Sequence, residues 1–266
     1  MVTIRILDPT NHIRTFEGAT PMKDLVTDLM NRTDWVILDT ETTGLSNIDE
    51  AVSIGVIDHT GNVLLDTLVK PANAFITQHV AALHGITQEM VSDAPTFLQV
   101  LPDLHSAVAG KTIVVYNAPF DRRIIAQSVE PYIVAAGYPE FGETEHWPMY
   151  EEIATTAWLD IMAPYAEFHG EWNEYHQSYR WQRLTAAAAQ MRVPIVAAHR
   201  AVGDCIMTLG VIRAVYNLIR DDAIEFGGGD PLHCVQCGEP VADPKDGLCA
   251  DCYAQEYPDY SWLDID

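Results

Sequence analysis

The sequence has few basic residues for its length. Only 15 of 266 residues are lysine or arginine, against 38 aspartates and glutamates, which gives a formal net charge of -23 at pH 7. This argues against polyanion binding through a broad basic surface, because such binding usually draws on lysines and arginines. A nucleic-acid ligand would have to be held by metal ions and a few arginines. A high-salt setting is a second explanation of the acidity, and the two are compatible.

Signals for membrane insertion and secretion are also missing. No unbroken run of 18 apolar residues is present, so no membrane span is expected. The start, MVTIRILDPTNHIRTF, lacks the basic and then apolar layout of a signal peptide. Of five cysteines, four form two pairs after residue 233 and Cys205 stands alone. This favours metal-bound thiolates in a cytoplasmic protein over a disulfide framework.

Hydrophobic patterning predicts an α/β domain. Residues 3–16 predict a small hairpin, and a short helix from Pro21 to Met30 follows, with Thr20 as its N-cap. The runs WVILDT, AVSIGVID and VLLDTLVK predict three strands in an antiparallel meander. A helix in PTFLQVLPDLHSAVAG, a strand in TIVVYN and a helix in PFDRRIIAQSV come next.

The rest of the domain predicts a fifth strand and further helices. EEIATT is the candidate strand, and helices are expected near Trp158–Tyr165, Leu184–Met191 and Arg200–Ile219. Three meandering strands followed by strand–helix alternation predict a mixed sheet with helices on both faces. GGGDP at 227–231 indicates a linker. The predicted regions are an appendage at 1–33, a main domain at 34–226 and an acidic tail at 227–266.

Acidic residues stand at three places where predicted strands end or helices begin. VILDTETTGL places Asp39 and Glu41 at the end of the first strand, and VVYNAPFD delivers Asp121 onto the helix after a buried strand. AHRAVGD holds His199 and Asp204 at the start of the last long helix. Clustered carboxylates repel one another unless cations neutralise them, and oxygen ligands suit Mg²⁺ or Mn²⁺. The sequence therefore predicts a divalent-metal site.

These motifs resemble those of the DnaQ-like (DEDDh) 3′–5′ exonucleases. The resemblance is carried by DTETTG at 39–44, NAPFD at 117–121 and HRAVGD at 199–204, and HGITQEMVSDAPTF at 84–97 is similar to the family's stretch between the first two motifs. It implies an α/β, ribonuclease H-like fold with a mixed five-stranded sheet flanked by helices. It also implies a metal-dependent exonuclease that releases nucleoside 5′-monophosphates from 3′ ends of single-stranded DNA.

A two-metal site assigns roles to the five motif residues. Two ions about 3.5–4 Å apart would stabilise the attacking and leaving oxygens at phosphorus. Asp39 is expected to bridge both metals, and Glu41 and Asp204 complete the shell of one. The resemblance implies that Asp121 helps to hold the second, partly through water. His199 suits the general base, because an imidazole titrates near neutral pH.

The resemblance also implies a set of substrate-binding residues: Thr42, Thr43, Gly44, Leu45, His84, Ile86 and Asn117. Residues 42–44 would let the backbone approach the last nucleotide, with Leu45 as a wedge beside its base. For His84 and Ile86 two alternatives stay open, a place in the nucleotide pocket or packing of their loop. Asn117 is either a substrate contact or a helix cap.

The tail predicts one structural zinc ion. Two C-x2-C pairs, eleven residues apart, have the spacing of a four-thiolate zinc ribbon, whose ligands would be Cys234, Cys237, Cys249 and Cys252. From residue 227 onward the formal charge is -8, from nine acids and one lysine. A nucleic-acid-binding ribbon is expected to be basic, so a protein partner or ordering of the tail is favoured.

One aromatic segment has two interpretations. FHGEWNEYHQSYRWQRL, residues 168–184, interleaves tryptophans and tyrosines with Arg180 and Arg183. Such a segment either stacks unpaired bases or forms an aromatic mini-core on the flank of the site.

Two other functions compete with the leading one. An exoribonuclease of the same fold is possible because nothing in the sequence distinguishes a 2′-hydroxyl. A nuclease-like binding module recruited through the zinc ribbon is the second alternative. A role in DNA repair or proofreading would require a partner polymerase.

Overall fold

The fold was analysed in a computed structural model that describes residues 20–137, 142–195 and 200–225, with side chains up to residue 220. The predicted hairpin at 3–16, His199 and the cysteine-bearing tail lie outside the described residues. They therefore stay predictions.

Helices and strands alternate along the described chain. In order they are α1 (Met22–Met30), β1 (Trp35–Thr42), β2 (Ala51–Asp58), β3 (Val63–Leu68), α2 (Gln78–His84), α3 (Phe97–Val108), β4 (Thr112–Val115), α4 (Ala118–Ala136), α5 (His146–Thr155), β5 (Trp158–Asp160), α6 (Met162–His169), β6 (Trp172–Asn173), β7 (Ser178–Tyr179), α7 (Leu184–Gln190) and α8 (Ala201–Glu225).

Five strands form one mixed sheet in the order β3-β2-β1-β4-β5. The first three are antiparallel neighbours, whereas β1, β4 and β5 run parallel. The predicted meander and mixed sheet are thereby confirmed. Parallel pairing brings the carboxyl ends of β1, β4 and β5 to one edge, and the acidic residues lie at this edge.

Side-chain alternation along β1 separates the core into two layers. Val36 and Leu38 pack with α3, α4 and α5 on one face. Trp35 and Ile37 pack with α1, α6 and α8 on the other. All four are fully or almost fully buried, and burial of each side chain stabilises the fold by about 1.5–3 kcal/mol. The same alternation places Asp39 on the α8 face and Thr40 on the α4 face.

Helix α1 packs into the core, but its cap differs from the prediction. Met22, Leu25, Val26 and Leu29 are buried in the α8-side layer. The predicted cap at Thr20 is wrong. Pro21, with φ −53° and ψ 142°, is the N-cap, and no side chain caps the helix. The extended Pro21 backbone delays the helix by one residue. The predicted boundary at 33/34 is untested.

The fifth strand lies later than predicted. EEIATT belongs to α5, where Tyr150, Ile153 and Ala154 form one buried face at helical spacing. The strand is Trp158–Asp160, and the helix expected near 158–165 begins at Met162. The β-branched pair Thr155–Thr156 favours a strand locally, but packing of α5 against α3 overrides that preference.

Helix α8 contains a long apolar segment. Its segment Ala201–Arg220 is long and apolar enough to cross a membrane by length and composition alone, with mean hydropathy 1.4. The expectation of no span considered only unbroken apolar runs. In the fold, the apolar side chains Cys205, Met207 and Val211 are fully buried in the layer shared with α1. Packing within the domain accounts for their hydropathy.

Candidate active site

Three acidic side chains converge at the edge of the sheet. Asp39 and Glu41 come from β1, and Asp204 comes from the first turn of α8. One carboxylate oxygen from each lies within 4.8 Å of the other two. Asp39 and Asp204 are partly exposed, so an ion can reach the group from solvent. The structure thus brings together the three residues assigned to one metal's shell.

A glycine that the sequence analysis did not single out allows α8 to reach this edge. Gly55 in β2 pairs with Asp39. A Cβ on Gly55 would lie 2.6 Å from the backbone nitrogen of Val202 and 2.7 Å from the carbonyl carbon of Ala201. The first turn of α8 therefore lies directly on β2. A glycine in a strand interior often marks such a close approach, and AVSIGVID contains that signal.

Asp121 joins the site from the opposite face of the sheet. Its side chain is 3% exposed, and its Oδ1 accepts a hydrogen bond from Thr40 Oγ1 at 2.7 Å. It does not belong to the group of three acids within 4.8 Å, but its charge acts on Asp39 and Glu41. Its predicted role at a second metal stays a prediction.

Asp160, also missed in the sequence, holds the helix that carries Asp121. It ends β5, where its Oδ1 accepts from the backbone N–H of Ala118 at 2.9 Å and its Oδ2 from that of Ala163 at 2.8 Å. One carboxylate thus accepts a hydrogen bond from a backbone N–H in the first turn of α4 and from another in the first turn of α6, where such groups lack a partner within the helix. Burial raises its pKa, and these two hydrogen bonds oppose that effect. In the sequence, the signal for this role is the position of Asp160 between a strand and the start of a helix.

Burial and mutual repulsion perturb the acids. Burial, and then the charges of Asp121, Asp204 and Glu41, raise the pKa of Asp39 well above its ordinary value. Burial and the charges of Asp204 and Asp121 raise the pKa of Glu41 to about 8, although Arg200 opposes this. Burial also raises the pKa of Asp121.

The donor set suits divalent cations. Glu41 Oε1 is buried and has no hydrogen-bond partner among the described residues. A buried, unpaired carboxylate oxygen within a repelling acidic group is costly unless a cation neutralises it. Carboxylate oxygens are the ligands that Mg²⁺ and Mn²⁺ prefer. Divalent metal ions are also what the exonuclease fold implies for such an acidic cluster.

Hydrogen bonds hold the loop that follows β1, residues 42–46, in place. Thr43 Oγ1 donates to Asp49 Oδ1 at 2.7 Å, and a Cβ on Gly44 would lie 2.7 Å from that carboxylate. Thr42 Oγ1 donates to the Gly44 carbonyl at 2.7 Å. Arg123 of α4 donates to the carbonyls of Leu45 and Ser46. The loop is rigid, and the Leu45 side chain projects from it, 79% exposed.

His84 supports this loop from α2. Its Nδ1 accepts from the Ile86 N–H at 3.0 Å, so its Nε2 carries the proton and donates to the Thr42 carbonyl at 3.2 Å. Both His84 and Ile86 are buried, and Ile86 packs with Val52, Ile76 and Val91. Packing of the loop is therefore observed for both residues. Their contact with a nucleotide stays a prediction.

Two alternatives were open for Asn117 and two for the aromatic segment. Asn117 occupies the N-cap position of α4, but its side chain makes no capping hydrogen bond there. The four aromatic side chains of 171–183 are all exposed, from 36% for Tyr179 to 88% for Tyr175. These exposures do not fit the mini-core interpretation, because β6 and β7 pair with no other strand in the part of the chain that the structure describes and each ring stays at least one third exposed.

Comparison with known proteins identifies the class. The exonuclease family model (RNase T) matches residues 36–136. The uncharacterised exonuclease CP81 of Escherichia phage 186 is 40% identical over 188 residues, 68% of this chain and 88% of that protein. A PolC-type DNA polymerase III of Caldanaerobacter subterraneus subsp. tengcongensis is 39% identical over 95 residues, 33% of this chain and 6% of that protein. E. coli exonuclease I in complex with a dT13 oligonucleotide has TM-score 0.52 and 16% identity, over 73% of this chain and 43% of that one.

The chain belongs to the exonuclease family and is an exonuclease enzyme. The resemblance of its motifs to DnaQ-like exonucleases is thereby confirmed at the level of family and enzyme class. The likeness to exonuclease I concerns the fold, and it agrees with the mixed five-stranded sheet.

Proposed function

We propose that this exonuclease removes nucleotides from the 3′ ends of single-stranded DNA and releases nucleoside 5′-monophosphates by a two-metal mechanism. The observation that carries the proposal is the group of Asp39, Glu41 and Asp204, with carboxylate oxygens within 4.8 Å of one another and Asp121 beside them. Acids so crowded are suited to holding cations at a phosphodiester bond.

Each acid has a place in this proposal. Asp39, Glu41 and Asp204 would hold one ion, and Asp39 and Asp121 would help to hold the other. When bound, the ions supply positive charge for the oxygens of the phosphoryl group and lower the pKa of a bound water. Asp160 positions Asp121 by binding the start of α4, and Thr40 donates a hydrogen bond directly to Asp121. His199 takes the proton of the attacking water.

The loop after β1 receives the terminal nucleotide. Its backbone at 42–44 is held by Asp49 and His84, and Leu45 extends into solvent as the wedge. His84, Ile86 and Asn117 complete the predicted pocket at its base. A fixed loop orients the reacting phosphate without reorganisation during each turnover.

DNA is favoured over RNA because relatives such as the PolC-type DNA polymerase III are DNA polymerases by name. The match covers 6% of that long protein, and a polymerase activity would have to come from another chain. A polymerase partner and a role in proofreading or repair are therefore part of the proposal. The structural zinc ion at the four tail cysteines and a protein partner at the predicted ribbon are also proposed.

Labelled oligonucleotides test this function. DNA and RNA strands of one sequence, labelled at the 5′ end, are incubated with the chain and Mg²⁺ or Mn²⁺. We expect DNA to shorten stepwise from the 3′ end with mononucleotide 5′-phosphates as product. Faster shortening of RNA would establish the exoribonuclease alternative. Binding without hydrolysis in either metal would favour the nuclease-like binding module.

A further inference from the structure

The segment 171–183, named here the aromatic hairpin, is a built structure. Strands β6 and β7 pair Trp172 with Tyr179 and Asn173 with Ser178. The turn is closed by Asn173 Oδ1, which accepts from the backbone N–H groups of Tyr175 and His176 at 3.0 and 3.1 Å. The hairpin thus has a defined shape, although among the described residues it joins no larger sheet.

Its aromatic rings face solvent. Tyr175 is 88% exposed, Trp181 71% and Trp172 45%. The Trp172 and Tyr179 rings meet edge-on, with centroids 5.1 Å apart and an interplanar angle of 79°, whereas Tyr175 and Trp181 are the more exposed rings. Exposed apolar area forgoes about 25 cal/mol of stabilisation per Å². A cluster of exposed rings of this kind indicates a binding surface.

The hairpin is fixed to the catalytic edge of the sheet. Gln182 is 7% exposed, and its carbonyl accepts a hydrogen bond from Tyr116 Oη at 2.8 Å. Tyr116 directly follows β4, and in the parallel pairing of β1 with β4 Val114 lies beside Ile37. Two residues further on, Tyr116 and Asp39 follow at the same end of the sheet. The end of the hairpin that carries Trp181 and Gln182 is thus bonded to the residue that follows β4, on the strand beside that of Asp39.

The local charge permits a polyanion there. The hairpin contains two acids, Glu171 and Glu174, and two arginines, Arg180 and Arg183, so its formal charge is zero in a chain of net charge -23. Arg180 Nη1 lies 3.2 Å from Glu171 Oε1 and forms an ion pair with it. Arg183 is exposed as well and is the arginine available to bind a phosphate. A surface of this composition suits stacking of bases better than binding of the backbone alone.

We propose that the aromatic hairpin binds the unpaired bases of the strand whose 3′ end occupies the carboxylate site. This inference rests on the proposed function and adds the substrate's second point of attachment. Trp181 stacks a base near the 3′ end. Tyr175, at the turn, stacks one on the order of 10–20 Å further along, given the rise of about 3.3 Å per residue in a strand. Stacking of this kind accepts any base sequence.

Anisotropy titrations of the full chain test the hairpin separately from catalysis. Ca²⁺ replaces Mg²⁺ to prevent cleavage, and the probes are labelled oligothymidylates of about 5 and about 15 nucleotides. We expect Trp181→Ala to weaken binding of both by about 5- to 150-fold, and Tyr175→Ala to weaken only the longer one. Trp181→Phe should restore most of the affinity. Val134→Ala, which removes a 66% exposed apolar side chain on α4, is the matched control and should bind as the wild type does.

The outcomes separate the two proposals. If the wild type hydrolyses the strand with Mg²⁺ but Trp181→Ala and Tyr175→Ala bind both probes normally, the hairpin inference is wrong and the proposed function stands. If the wild type hydrolyses neither DNA nor RNA, the proposed function is wrong, whatever the binding data show. Normal binding by these variants, together with loss of a concentration-dependent self-association seen for the wild type in sedimentation, would instead make the hairpin a protein interface.

Discussion

The carboxylate edge and the aromatic hairpin are joined by the hydrogen bond from Tyr116 to Gln182, but they are held in place in different ways. At the edge, Thr40 and Asp121 are almost fully buried and hydrogen-bonded to each other, with helices packed on both faces of the sheet. The hairpin is held by its own backbone pairs and by Asn173 and Gln182, while its rings stay exposed.

Separate parts of the molecule would therefore position the metal ligands and bind the strand. Ligands for metal ions must be held closely in place, which requires a rigid and well-packed frame. A stacking surface tolerates some movement, because a base needs only an accessible ring face. Changes at the edge should therefore lower the maximal rate, whereas changes in the hairpin should lower the affinity for the strand.

The largest effect is expected from Asp39→Ala. Loss of the carboxylate shared by the proposed metals should lower the rate by about 10³-fold or more, measured by oligonucleotide cleavage at saturating Mg²⁺. The fold should persist, because removal of one crowded acid relieves repulsion in the metal-free protein. Asp66→Ala, an exposed acid on β3, is the control. Rates close to wild type in folded Asp39→Ala would overturn the site assignment.

His199→Ala should lower the rate by about 10²–10⁴-fold while metal binding is largely retained, because the lost group is a general base. Calorimetric titration with Mn²⁺ alongside steady-state rates separates this role from that of a ligand. Weakened Mn²⁺ binding with a full rate at saturating metal would show that His199 is a ligand instead.

Gly55→Ala should test whether the position of α8 matters for activity, because the substitution leaves all the acidic side chains in the sequence. Its Cβ would meet the backbone of Ala201 and Val202 at 2.7 and 2.6 Å, so α8 and Asp204 must shift. Overpacking of this kind costs about 1–3 kcal/mol of unfolding free energy, measurable in urea, and activity should fall with it. Gly142→Ala, where a Cβ meets nothing within 4 Å, should leave both unchanged. Full activity in Gly55→Ala would mean that Asp204 needs no such close approach.

The sequence predicted the edge well because its signals are local. A run such as WVILDTET has one compatible placement, with apolar residues inside and the acids at the strand's end. Residues whose role depends on distant partners were missed. A glycine inside a strand and an acid before a helix are local signals, but they do not name the partner, so the contact of Gly55 with α8 and the hydrogen bond between Asp160 and α4 appear only in the fold. The fifth strand was misplaced because three residues, WLD, carry too little periodicity to compete with Thr155–Thr156.

The smallest effect concerns stability of the metal-free protein against pH. Burial and repulsion raise the pKa of Glu41 to about 8, from an ordinary 4.5, and raise that of Asp39 in the same direction. In the folded metal-free state these acids keep protons that the unfolded chain releases. Their contribution to stability is therefore fully present below about pH 4 and is lost as the pH rises through the folded values.

Thermal unfolding without divalent cations should therefore occur at a lower temperature at pH 9 than at pH 6. Mg²⁺ should reduce this difference, because a bound cation favours the ionised acids. Glu41→Gln supplies the control: it should flatten the pH dependence and unfold at a higher temperature than wild type at pH 9, while any effect from the tail is common to both proteins. At strongly acidic pH the trend should reverse. Burial raises the pKa of Asp58, but hydrogen bonds from Thr60 and Asn62 outweigh this and lower it to about 2, so its contribution to stability is lost as the pH falls. Equal melting temperatures at pH 6 and pH 9 for metal-free wild type would show that these acids are already solvated or neutralised by other means.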